Sequence, residues 1–402
     1  MAIRSVPIGR VLRVVVDSLL DRTTTDCNCA VDSVRRYSSS ITLSAHRVVY
    51  DSQVFAEQSR GGVSRYFLNL ASALSTYSDW EPLVALGWHV QGNLAGHLTS
   101  WGPQLKLGPT SRAFRLRRGI NRLAMHRKPP VDDGETLYHP TWYHVPTILA
   151  WKHLPITVTI HDLIPEKWPA VTDARQLADR RKVLAMSNSV VCVSQSTLTD
   201  LAIHYPETAR KATVSLPGLP ELPVGRPNLP DQKPYLLHVG KRGAYKDFIT
   251  VLRGLALLSD ISLVIVGGGT LSSHEREMIA ELNLSNRVVA EGSVEDQRLA
   301  DLLVGAVALV SASRAEGFGL PPLEALAQGS PSVLTDIPAY REIHGRWATF
   351  FPPKDPRGLA EAVESVSRGG HPPLPSRDEV RRSFSWAETV RSTVGSYEMA
   401  LG

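Results

Sequence analysis

Cysteine is scarce in this 402-residue chain, with three in all, too few for a disulfide framework. Cys27 and Cys29 stand close together, but no second Cys/His pair lies near them. A zinc site is therefore not expected, and a reducing cytosol suits the chain. A run of about 18 apolar residues is missing, so no membrane-crossing helix is expected. The first twenty residues hold only Val14-Val15-Val16 between Arg13 and Asp17, too short an apolar run for a secretory signal. Acid is missing from one stretch: Pro82 to Val131 contains no Asp or Glu. That stretch carries Lys106, Arg112, Arg115, Arg117, Arg118, Arg122, Arg127 and Lys128. The net charge of +5 is thus unevenly spread.

What is present is globular. Hydrophobic residues make up 43% and charged residues 21%, enough apolar material for sizeable cores, which excludes wholesale disorder and collagen-like repeats. The length suits two or three domains. Residues 1–45, with Thr23-Thr24-Thr25 and Ser38-Ser39-Ser40, read as a poorly ordered extension. From Arg47 onward, short apolar runs alternate with helical stretches. Strands are expected at 47–50, 83–86, 136–138, 156–160, 189–193 and 212–214. In the helix from Val63 to Leu74, Phe67, Leu70, Ala71 and Leu74 share one face. Six prolines between Leu216 and Tyr235 exclude a helix or central strand and mark a linker. The alternation restarts at Tyr235. The pattern predicts an α/β chain of two doubly wound, Rossmann-like domains across a cleft. Their expected bounds are 46–215 and 235–385, with a linker at 216–234 and a closing helix over 386–402. Ligands in such sheets bind at the carboxyl ends of strands.

The most informative segment is Arg314-Ala315-Glu316-Gly317-Phe318-Gly319-Leu320-Pro321-Pro322-Leu323-Glu324. It reads as a strand end, a glycine turn and a short helix. Pro321 and Pro322 suit the first helical turn. Gly317 and Gly319 let a ligand approach the backbone, and free amides at a helix start attract an anion such as diphosphate. Glu316 and Glu324 place one carboxylate in the loop and one on the helix. A second segment, Val239-Gly240-Lys241-Arg242-Gly243-Ala244-Tyr245-Lys246, sets two cations after a strand, the chemistry a departing diphosphate needs.

Together these segments resemble the E-x7-E motif and the diphosphate loop of glycosyltransferase family 4, retaining nucleotide-sugar enzymes of the GT-B fold. The resemblance spans roughly residues 46–400. It implies that Arg242 and Lys246 hold the donor diphosphate, helped by amides around Gly319 and Leu320. Glu324 would bind ribose, while Glu316 and the Gly317-Phe318 backbone position the sugar. The loop Ser59-Arg60-Gly61-Gly62-Val63-Ser64-Arg65-Tyr66 resembles the family's N-terminal glycine loop, placing Gly62 near the donor. His139, in Tyr138-His139-Pro140-Thr141, matches a sugar-contacting histidine. His161 and Asp162 resemble the acceptor-side turn, and Val294 would border the base. The implied activity is metal-independent transfer of a hexose to an acceptor hydroxyl, on a glycan or a lipid-linked acceptor. Mannosyltransferases of surface polysaccharides are the best match, with GDP-mannose as first donor. No cofactor or metal is expected. No two Asp are separated by one residue, so the Asp-x-Asp metal motif of the other common transferase fold is missing.

Three other readings are weaker. Gly267-Gly268-Gly269 lacks the third glycine of a dinucleotide loop, since position 272 is Ser272. A phosphorylase with pyridoxal phosphate would be a much longer chain. A non-catalytic sugar-nucleotide-binding protein remains the alternative, against which the intact acids and cations speak. The stretch 111–128 reads as a basic amphipathic helix, with Ala113, Leu116, Ile120 and Leu123 on one face. It would rest on an anionic membrane surface and make a cytoplasmic protein peripheral at the inner face. Nucleic acid is not expected, because no aromatics interleave the charges.

Overall fold

The computed structural model describes residues 46–58, 61–84, 88–89, 99–100, 105–106, 135–169, 172–226 and 233–402. The extension 1–45, Arg60, the basic stretch 111–128 and part of the linker lie outside the described residues.

The first domain is built on parallel strands. His46–Tyr50 pairs with Trp80–Val84 on one side and Thr136–His139 on the other. Trp80–Val84 also pairs with Thr99–Ser100. Strand Ser189–Cys192 lies between Thr157–Ile160 and Ala212–Val214. A parallel bridge from Tyr138 to Ile156 joins the two groups. Parallel strands covered on both faces are apolar throughout, as Val48, Leu137, Val158 and Val190 illustrate, all buried. Helix Gly62–Tyr77 lays Phe67, Leu70, Ala71 and Leu74 on this sheet. Each fully buried Leu or Phe contributes about 1.5–3 kcal/mol relative to exposure.

The second domain has six strands, all paired in parallel. Their spatial order is Val288–Gly292, Ser262–Val266, Tyr235–Val239, Ala308–Ser311, Ser332–Thr335, Thr349–Phe351. Chain order reverses beside Tyr235–Val239, the switch point at which such sheets bind ligands. The strand Thr349–Phe351 and the helices Pro356–Ser367 and Arg377–Ser383 complete the domain.

The chain passes between the domains twice. The proline-rich stretch leads from the first sheet to the second, and helix Trp386–Leu401 returns. Its Val390, Tyr397 and Ala400 belong to the first domain's core, and the Ser189 hydroxyl donates to the Ser396 carbonyl at 2.7 Å. The two passages are joined to each other. The Leu219 amide donates to the Phe384 carbonyl, the Trp386 indole to the Leu219 carbonyl, and the Thr389 hydroxyl to the Leu216 carbonyl. No described helix is long and apolar enough to cross a membrane.

Candidate active site

The glycine turn between Ala308–Ser311 and helix Leu320–Ala327 sets the site. Gly319 has φ +97°, and a Cβ there would come 2.8 Å from the Tyr340 ring. Both the left-handed backbone and the space demand glycine. Pro321 and Pro322 follow in the helix's first turn. Gly317 is pressed against the first domain, since a Cβ would lie 1.6 Å from the His161 carbonyl oxygen. The Ser194 hydroxyl donates to the Gly317 carbonyl at 2.6 Å. A second contact crosses nearby. The amides of Gln195 and Ser196 donate to the Glu342 carboxylate, each at 2.7 Å. An acid from one domain thus caps a helix start in the other, where the dipole favours it.

Two ion pairs hold the two acids of the motif. Lys246 Nζ lies 2.5 Å from Glu316 Oε1, and the Tyr340 hydroxyl donates to the same oxygen at 3.2 Å. Burial is the largest single influence on Lys246 and would lower its pKa, but the Glu316 carboxylate with Tyr340 and Tyr245 together outweigh it and hold the ammonium above its ordinary value. Glu324 is buried and pairs with Arg65 of the first domain at 2.6 Å. Burial raises its pKa, and Arg65 opposes the rise. Asp162 is raised by burial too, with Arg180 opposing and the Glu316 carboxylate adding to the rise. The Arg180 guanidinium fixes that turn: it donates to the Asp162 carbonyl and to Glu166 Oε2 at 3.1 Å, and stacks 4.7 Å from the Tyr143 ring centre.

The structure brings Lys246, Glu316, Gly317, Gly319, Glu324, His161 and Asp162 to the domain boundary. Gly62 joins them, with its Cβ position 3.6 Å from a Leu320 methyl. The Phe318 side chain is core, edge-on to Phe384. Val294 follows strand Val288–Gly292 and packs on the second domain's apolar cluster.

Two expected residues are bonded to other protein groups. His139 is fully buried. Its Nδ1 bonds the Tyr397 hydroxyl at 2.8 Å and its Nε2 the Thr159 hydroxyl at 2.9 Å. With both nitrogens engaged in the core, it has none for a sugar. Burial lowers its pKa to about 3, so it is a neutral framework group. Arg242 is held by the neighbouring glycine loop. Its Nε donates to Glu275 at 2.7 Å, and its other nitrogens donate to the carbonyls of Gly267, Gly268, Gly269 and Thr270. Its guanidinium is thus tied to that loop in this structure.

His161 differs from His139. It stands at the end of the next strand, edge-on to the Tyr66 and Phe67 rings. Its buried Nε2 has no hydrogen-bond partner, an unmet polar group of the sort a ligand satisfies. Arg65, Tyr340, Ser194 and Glu342 were not marked as site residues by the sequence. Arg65 sits inside the quoted glycine segment, and only its partner across the boundary distinguishes it.

Residues 225–382 match the family model described as glycosyl transferases group 1. The O-antigen chain mannosyltransferase RfbU of Salmonella typhimurium is 28% identical over 218 residues, 53% of this chain and 61% of RfbU. The serotype-specific mannosyltransferase WbdA of Escherichia coli is 35% identical over 137 residues, 33% of this chain and 16% of WbdA. The chain thus spans less than two thirds of the length of either relative. Among solved structures, a sucrose-phosphate synthase from Thermosynechococcus elongatus superposes with a TM-score of 0.66 at 20% identity, covering 88% of this chain and 98% of that one. Anabaena HepE in complex with UDP and glucose gives a TM-score of 0.63 at 14% identity, with 88% and 99% covered. The fold is GT-B.

Proposed function

We propose that this chain, whose residues 225–382 form a group 1 glycosyl transferase domain on a GT-B scaffold, moves a hexose from a nucleoside diphosphate to an acceptor hydroxyl. The observation that carries the reading is the Lys246–Glu316 pair at the glycine turn, held by Tyr340 and packed against the His161-Asp162 turn. Lys246 would meet the diphosphate, with the amides at the start of helix Leu320–Ala327. Glu316 and the Gly317-Phe318 backbone would position the sugar, and Glu324 the ribose. The Val294 backbone would border the base. His161 would offer its open nitrogen to the sugar or acceptor, beside Asp162.

The bond between the sugar's anomeric carbon and the phosphate oxygen breaks while the acceptor oxygen attacks from the same face. The departing phosphate oxygen takes the acceptor's proton, so configuration is retained and no protein base is required. Closure of the domains excludes water and keeps hydrolysis low. The likeness to mannosyltransferases makes GDP-mannose the first donor to try, and a surface glycan or lipid-linked glycan the acceptor. Lys246 supplies charge where a metal would otherwise be needed, so the reaction is proposed to run without one. A panel of nucleotide sugars, with membrane extract as acceptor and with or without EDTA, tests this. Nucleoside diphosphate release from GDP-mannose, unchanged by EDTA, is expected. No release from any donor sinks the transferase reading, and loss in EDTA sinks the metal-free claim.

A further inference from the structure

We infer that Arg65 is the second cation of the donor site, exchanging the Glu324 carboxylate for the diphosphate when a nucleotide sugar binds. The inference rests on the reading of residues 316–324 as the donor loop.

The segment carries a carboxylate at each end, and one cation holds each. The Lys246–Glu316 pair lies within the second domain, whereas Arg65 reaches Glu324 from helix Gly62–Tyr77 of the first. A departing diphosphate bears more than one negative charge, which a single lysine leaves only partly neutralised. Arg242 cannot make up the difference while its nitrogens serve Glu275 and four carbonyls.

The Arg65–Glu324 pair is asymmetric. The Glu324 side chain is 3% exposed and that of Arg65 is 28% exposed, so the anion is fixed and the cation can move. A buried carboxylate needs hydrogen-bond donors or a counter-charge. Two ribose hydroxyls would supply the donors and release the guanidinium. A part-buried guanidinium needs an anion in turn. One lies within reach, because the start of helix Leu320–Ala327 is about 6 Å from Glu324 along the axis. Gly62, the first residue of the Arg65 helix, packs over Leu320 at that start. Arg65 is thus mounted beside the expected phosphate position and parked on the expected ribose position. The planar guanidinium fork suits phosphate oxygens.

The test compares nucleoside diphosphates with their uncharged nucleosides. GDP and UDP are titrated by calorimetry, and guanosine and uridine by ligand-observed NMR, against wild type, Arg65→Gln and Arg65→Lys. Thermal melts confirm that the variants fold. The wild type should prefer the diphosphate to its nucleoside. Arg65→Gln should lose about ten-fold or more in diphosphate affinity, with nucleoside affinity unchanged or raised because Glu324 is no longer occupied. Arg65→Lys should fall between. Equal losses for diphosphate and nucleoside would make Arg65 a mere tie between domains and overturn the inference, as would no change for either ligand. If the wild type binds none of the four, the donor-site reading fails and takes the inference with it.

Discussion

Two consecutive strands of the first domain carry a histidine at or just past their ends, and the two side chains have opposite fates. His139 has both nitrogens bonded within the core, while His161 keeps a buried nitrogen without a partner. Burial lowers both to about 3, so charge does not tell them apart. The cations repeat the contrast. Arg242 is engaged by Glu275 and the neighbouring glycine loop, whereas Lys246 is turned to the Glu316 carboxylate at the domain boundary. A polar group whose bonding is complete serves the framework. One left incomplete, or paired with another site group, is available to a ligand.

Substitutions should separate the two classes by what they damage. The largest effect is expected at Lys246. Lys246→Gln should lower kcat by about 10³-fold, near 4 kcal/mol of transition-state stabilisation, with a melting point close to wild type. A fall that tracks lost stability would put Lys246 in the framework instead. His139→Ala should do the reverse. Leaving the Tyr397 and Thr159 hydroxyls unmet beside a cavity costs about 2–4 kcal/mol of folding stability. Activity per folded molecule should stay near normal, and a selective loss of kcat would return His139 to the site. His161→Ala should cost about 10- to 100-fold in kcat/KM, near 1.4–2.7 kcal/mol, with little change in melting. Arg242→Gln should destabilise by about 1–2 kcal/mol and leave GDP affinity alone; a weakened GDP complex at full stability would revive the phosphate role.

A further effect is a slope with pH. His139 and His161 are held near 3, and His238 and His344 near 4, chiefly by burial. Unfolded, each takes up its proton near 6.5. Below about pH 6.5 the unfolded chain therefore binds protons that the native one refuses, and stability falls as pH falls. The loss ends once pH passes below the native values. Each histidine contributes about 1.4 kcal/mol per pH unit across that window. Asp162 and Glu324, raised by burial, act in the opposite sense. Melting temperature should decline from pH 7 to pH 5, less steeply in His139→Gln. A flat profile would show that these rings are protonated in the native protein.

Much of the fold was legible because parallel strands announce themselves as short apolar runs. Leu236-Leu237, Leu263-Val264-Ile265 and Val190-Val191 all lie in strands where periodicity put them. Strand Trp80–Val84 begins three residues before its expected start because Trp80, Glu81 and Pro82 carry no clear period. Helix Pro356–Ser367 went unmarked despite a readable start, Asp355 followed by Pro356, where the Asp355 carboxylate caps two amides. At the site, the glycine turn was legible because its backbone demands particular residues. The split between His139 and His161 was not. It depends on Tyr397, 258 residues away from His139, and a local motif carries no trace of such a partner.

The paired passages between the domains have a mechanical consequence. A body tethered to another by one strand can swing and twist in every direction. Two strands laid side by side and bonded to each other behave as a short pin, leaving rotation about that pin as the soft movement. Clipping the chain before Trp386 would therefore do more than uncover the apolar face that Val390 and Tyr397 now fill. It would leave a single flexible tether where there had been a bearing, and the two halves of the site would meet by chance orientation instead of along one fixed arc.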